Sequence, residues 1–181
     1  MNADAASDKL TSFFQNGHGG AAHVNDQDAI EEVSEFINRH VPEGGEGDGW
    51  LFIEMLGGAM TPAFTGRPQA HVYRPLGFPV VLSGSSGPNG VSLTISAYES
   101  LQLRLYNVIA LVVFKEETWK NYRYLDQYFG RHHPSVRVVM LPAIPPSDAP
   151  NPTESLIQLY RTVTASEALA PVLHAIDILY Q

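Results

Sequence analysis

Cysteine is absent from this 181-residue chain. That removes disulfides, thiolate metal sites, iron–sulfur clusters and cysteine nucleophiles from the possible chemistries. Lysine is scarce, with only Lys9, Lys115 and Lys120. No apolar run approaches the ~18 residues that a membrane-spanning helix needs. The opening stretch MNADAASDKLTSFFQNGHGGAAHV lacks the basic-then-apolar order of a secretory signal. Together these absences lead to the expectation of a cytoplasmic protein with no membrane partner. Cofactor fingerprints are missing too. GSSGPNG (84–90) carries no Lys-Ser/Thr for a phosphate-binding P-loop, and it lacks the final glycine of an esterase elbow. No cofactor and no catalytic constellation is expected.

Charge is present but unevenly spread over a net of −8. Residues 1–59 set eleven acids against Lys9 and Arg39, whereas residues 60–137 set eight bases against Glu99, Glu116, Glu117 and Asp126. Acidic ends favour solubility, and a basic middle offers a surface to an anionic partner.

Residues 1–24 are poor in apolar side chains apart from Phe13 and Phe14 and read as a disordered tail. Residues 25–181 read as a single α+β or α/β domain. An acid-rich start and the stripe Ile30, Val33, Phe36, Ile37 predict a helix over about Asp26–His40. Pro42 and GGEGDG end it in an acidic loop. Trp50–Leu56 has strand length, and GGAMTPAFTGRP reads as a flexible loop. Gln69–Arg74 alternates like a half-exposed edge strand between Pro68 and Pro75.

Phe78–Ser83 reads as another strand, and Asn89-Gly90 favours a hairpin between Val80–Ser83 and Val91–Ala97. Residues 91–106 alternate apolar and polar for sixteen positions, yet Ser96-Ala97-Tyr98-Glu99 is also a capping box. The favoured reading is a strand over 91–96 and a short helix over 97–106. One long strand is the alternative.

Val108–Phe114 is apolar on both faces and marks a central strand. Glu116–Phe129 reads as a helix burying Trp119, Tyr122, Leu125 or Asp126, and Phe129 and closed by Gly130, followed by strand Val136–Leu141. That succession is a βαβ unit. Pro142–Pro152 holds five of thirteen prolines and forms a stiff connector. Asn151-Pro152 and Glu154 start a helix. Thr164–Glu167 is a second capping box, and Pro171 predicts a break near Ala170 before a last helix, Val172–Tyr180. The expected architecture is therefore a mixed sheet of five or six strands, antiparallel first and βαβ later, with packed helices.

For function, Lys120, Arg123, Tyr124, Tyr128, Arg131, His132 and His133 form an arginine- and tyrosine-rich surface of the type common at protein contacts. The leading expectation is a small non-enzymatic interaction module, an adaptor or inhibitor-like protein, binding another protein or itself as a homo-oligomer. A small hydrolase using Glu99, His71 or His132 is the alternative. A nucleic-acid binder comes next, disfavoured by acidity and few lysines. Adjacent His132 and His133 diverge, so no metal site is expected. His174 and Asp177 read as an exposed helical pair.

Overall fold

The computed structural model describes residues 25–40, 52–55, 57–63 and 65–179, apart from the side chains of residues 175 and 177–179. The expected 1–24 tail and the acidic loop after Pro42 lie outside the described residues. The chain forms two compact units, residues 1–76 and 77–181.

In the first unit, helix α1 (Asp26–His40) begins with a reciprocal cap. The Asn25 side chain accepts from the Asp28 amide at 2.9 Å, and the Asp28 carboxylate accepts from the Asn25 amide at 3.2 Å. Residues 52–55, in the run expected as a strand, have no regular structure. The glycine-rich segment after them is knitted rather than loose. Thr61 Oγ1 accepts from the Gly58 amide at 2.8 Å, Ala63 donates to the Arg67 carbonyl, and Gln69 and Ala70 donate back to the Thr61 and Ala59 carbonyls. Gln69–Val72 is a helical turn, α2, followed by a 3-10 turn at Arg74–Leu76. The expected edge strand there is corrected. The six residues between Pro68 and Pro75 alternate too briefly to separate one helical turn from a strand, and the bonds from the Val72 amide to the Pro68 carbonyl and from the Tyr73 amide to the Gln69 carbonyl make it a helical turn.

The second unit is an α/β layer structure. Its strands are β1 (Val80–Ser83), β2 (Val108–Lys115) and β3 (Arg137–Pro142). They form one sheet in the order β1-β2-β3, parallel throughout. The crossovers are helix α3 (Gly90–Gln102) and helix α4 (Asn121–His132), and helices α5 (Pro152–Ala165) and α6 (Ala170–Leu179) follow.

This overturns the expected mixed sheet of five or six strands with an antiparallel start. Among the described residues the sheet has three strands, and the antiparallel pairing is limited to one isolated bridge, Pro62 to Pro68. The hairpin fails because Gly90–Gln102 is helical. Its buried residues are Gly90, Thr94, Tyr98 and Leu101, a helical stripe that is small or polar in its first half and large only at Tyr98 and Leu101. The period-two apolar set was misleading: Leu93 is 58% exposed.

Parallel pairing puts partners on one face, so Val112 with Val139 and Phe114 with Leu141 point the same way. That face carries Ala110, Val139 and Leu141 against Val172 and Ile176 of α6. On the other face Leu111 and Val113 reach toward Gly84 and Thr94 of the first crossover. α4 begins five residues later than the sequence suggests. Its stripe is Tyr122, Leu125 and Phe129, whereas Trp119 lies in the preceding turn, 54% exposed. It runs through Gly130 to His132. The break before the last helix falls at Ser166–Leu169, where Glu167 takes φ 50°, and Pro171 sits in the first turn of α6, where a missing N–H costs nothing.

Candidate functional site

In an open parallel sheet, ligands collect outside the carboxyl ends of the strands, where the connecting loops converge. Here those loops are residues 84–89 after β1, 116–120 after β2 and 143–151 after β3.

The first loop is built around two glycines. Gly84 donates to the Val112 carbonyl at 2.8 Å, and a Cβ on it would lie 2.7 Å from Val113 Cγ1. Gly90, the first residue of α3, has no room for a side chain between the Ser85 carbonyl and the Asn121 amide. Asn89 before it is left-handed, φ 58°. Thr94, 2% exposed, ties the loop to the helix: its hydroxyl accepts from the Ser85 amide at 3.0 Å and donates to the Gly90 carbonyl at 2.7 Å. The result is a tight turn leading into a helix N-terminus. Helical geometry leaves the first backbone N–H groups of such a helix without intrahelical partners and facing the loop.

The second loop is held by Glu116. Its carboxylate accepts from the backbone of Thr118 at 2.7 Å and Trp119 at 2.8 Å. Its pKa is lowered, first by the Thr118 side chain, then by the Trp119 and Thr118 amides. Lys120 adopts φ 52° and Asn121 opens α4. The Asn121 side-chain amide then donates to the Ser85 carbonyl at 3.2 Å and the Gly87 carbonyl at 2.7 Å. One side chain thus joins the two loops.

Beside this junction, Tyr122 donates its hydroxyl to Glu117 at 2.6 Å and accepts from Arg123 Nε at 3.0 Å. Arg123 is pushed further up in pKa, chiefly by that bond to Tyr122, with the Glu117 charge adding to it. Lys120 also reaches Glu117, at 3.9 Å.

Six of the seven residues expected at a partner surface fall into two groups, one around the start of α4 and one running along it to its end. Lys120 and Arg123 gather around Glu117 near its start. Tyr124 and Tyr128 stack at 6.3 Å, and Tyr128 continues to His132 and His133 at its end. His133 lies 4.5 Å from the ring of buried Tyr98. The Tyr98 phenol is raised in pKa by burial first and by Tyr128 second. Arg131 is exposed in the last turn. Glu99 and His71, considered for acid–base work, are exposed, as are His132 and His174; the Asp177 side chain lies outside the described residues. Among the described residues no three His, Asp or Glu side chains are arranged to hold a metal ion, and no helix is long and apolar enough to cross a membrane.

Sequence reasoning missed Gly84, Thr94, Glu116 and Asn121. A signal was present in the three-residue spacing Gly84–Gly87–Gly90 directly after VVLS, but reading a strand after it concealed its meaning.

No protein-family model matches the chain. It is, however, 35% identical over 149 residues to a bifunctional dethiobiotin synthetase/adenosylmethionine-8-amino-7-oxononanoate aminotransferase of Emericella nidulans, covering 79% of this chain and 19% of that protein. It is 37% identical over 116 residues to a mitochondrial bifunctional dethiobiotin synthetase/7,8-diamino-pelargonic acid aminotransferase of Oryza sativa subsp. japonica, covering 64% of this chain and 14% of the relative. The protein of the same name from Arabidopsis thaliana is 32% identical over 142 residues, covering 77% and 16%. The chain thus spans less than a fifth of the length of these relatives. Their being enzymes overturns the expectation of a non-enzymatic adaptor or interaction module.

Proposed function

We propose that this chain carries part of the ligand-binding unit of a dethiobiotin synthetase-type enzyme, with its site at the carboxyl edge of the parallel sheet. The observation that carries the reading is a coincidence of two things. The chain is 32–37% identical to proteins bearing that name, and it folds as β1-α3-β2-α4-β3 with a glycine-lined turn leading into α3. Such an edge suits a ligand with phosphate or carboxylate groups, which accept from backbone amides at a helix start.

The relatives' names carry two activities. Aminotransferases hold pyridoxal phosphate as a Schiff base on a lysine. Lys115 and Lys120, the lysines among the described residues, are both exposed, which favours the synthetase half. Cytoplasmic residence is also a proposal; the two plant relatives are named mitochondrial, and fractionation of the host cell decides between the compartments.

Titration with dethiobiotin and, separately, ATP, followed by amide NMR, tests the reading. The expected result is saturable shifts confined to residues 84–92 and 116–121. Absence of binding by both probes, or shifts centred on the opposite strand ends near Arg137, would overturn it.

A further inference from the structure

Asn121 is the single described side chain whose hydrogen bonds join the two loops of the proposed site. It is half-buried at the first position of α4, and its amide nitrogen bonds two carbonyls of the other loop, Ser85 at 3.2 Å and Gly87 at 2.7 Å. Apart from these bonds and that of Gly84 to the Val112 carbonyl, the hydrogen bonds of each loop among the described residues stay within it or reach the strand or helix it adjoins. Ser85 is held by Thr94, and Gly90 donates to Gly87 at 3.1 Å. Thr118 and Trp119 are held by the Glu116 carboxylate, and Lys120 donates to the Glu116 carbonyl at 3.1 Å. Gly90 packs directly under the same amide, where a Cβ would collide with it.

We propose that Asn121 is a positioning residue that makes the Gly84–Gly90 loop and the Glu116–Lys120 turn open and close as one piece, so that a ligand contacting either loop is registered by both. The coupling is a property of this chain's own hydrogen bonds. Its use in ligand binding rests on the dethiobiotin synthetase reading above.

A polar link of this kind carries coupling because neither loop can swing out without stripping an acceptor from the other side. Asparagine is specific for the task. Aspartate at the same position presents oxygens to two carbonyl oxygens and repels them. Alanine simply removes the bond.

The test is native-state amide hydrogen exchange on the full chain without ligand, in rising sub-denaturing urea. In the unaltered protein, the amides of Ser85 and Gly90 and those of Thr118, Trp119 and Lys120 are expected to open in one step with one urea dependence. In Asn121→Asp and Asn121→Ala, both sets should exchange about tenfold faster, the order expected for losing one to two ordinary hydrogen bonds, and their urea dependences should separate. Val172→Ala, on the opposite face of the sheet, serves as the control. It should speed exchange generally while the two sets continue to open together, an outcome a merely stabilising Asn121 would share.

Separate opening of the two sets in the unaltered protein overturns the proposal, and that measurement needs no variant to fold. Acceleration of one set alone in Asn121→Asp overturns it as well. Since no ligand is used, failure here leaves the enzyme reading intact. Failure of dethiobiotin and ATP to bind likewise leaves the coupling result standing.

Discussion

Helices α3 and α4 perform the same task, each carrying the chain from one parallel strand to the next, and they are made in opposite ways. α4 buries large side chains: Tyr122, Leu125 and Phe129 form its inward stripe, and Phe129 and Leu125 are fully enclosed. α3 instead begins at Gly90, buries Thr94, and brings one large ring inward at Tyr98, which meets Phe129 edge-on at 4.9 Å. α4 is anchored by apolar area. The start of α3 is anchored by close backbone approach and two hydroxyl hydrogen bonds. The difference shows that the start of a helix can be anchored without large apolar side chains, provided the neighbouring loop supplies a backbone donor and leaves no room for bulk.

The contrast predicts different ways to damage each helix. The largest effect belongs to Phe129→Ala, which leaves a cavity in the α4 anchor and costs about 3–5 kcal/mol in chemical denaturation; a loss under ~1 kcal/mol would mean that α4 is not held by this side chain. Gly90→Ala attacks α3 by adding one methyl where the Ser85 carbonyl and Asn121 amide leave no space, with an expected cost of about 1–3 kcal/mol. Thr94→Val keeps the shape but strips the hydroxyl from the Ser85 amide and Gly90 carbonyl, at about 1–3 kcal/mol. If Thr94→Val proves neutral by urea melting, α3 depends on apolar area after all.

Two smaller effects sharpen the same comparison. The chain leaves α3 through Leu105, a γ-branched residue held at φ 61° and 78% exposed, while α4 ends at His133 with φ −138°. Leu105→Gly relieves a left-handed strain that glycine does not feel, and the melting temperature should rise by an amount matching roughly 0.5–1 kcal/mol. The turn before α4 is acid-sensitive in a way that the turn before α3 is not. The folded-state pKa of Glu116 is depressed by its hydrogen bonds, so its contribution is present above the ordinary carboxylate range and fades as pH falls through its lowered folded value. Trp119 fluorescence in a Trp50→Phe background should report loosening of this turn at acid pH, and Glu116→Gln should abolish the transition.

The same contrast explains what the sequence disclosed. β2 was legible because seven apolar residues in a row leave no polar face, and the inward residues Tyr122, Leu125 and Phe129 of α4 followed from plain helical spacing. Asn151-Pro152 signalled the start of α5. α3 was hidden because three of its four buried positions are glycine, threonine and tyrosine, with Leu101 alone as an aliphatic one, while its apolar residues happen to alternate. Misreading that one helix turned a parallel crossover into a hairpin and put a strand at 91–96 where the chain is helical. The candidate site vanished with it, since a glycine turn carries ligand meaning only when a helix follows. Trp119 was assigned inward because helical spacing cannot announce that a carboxylate, Glu116, will cap a turn and delay the helix by five residues. Asn121 had no local signal at all; its partners lie 34 and 36 positions away.

The sheet order also bears on how the molecule assembles. Among the described residues the strands pair in the order in which they occur along the chain, so none of these three must be threaded between two already joined. Growth can proceed one crossover at a time as the polypeptide leaves the ribosome. β1, α3 and β2 already bring Gly84, Thr94, Leu111 and Val113 together, and β3 is added to a finished edge. Parallel pairing across a helix is slow for its length, but here the waiting strand is always the most recently made.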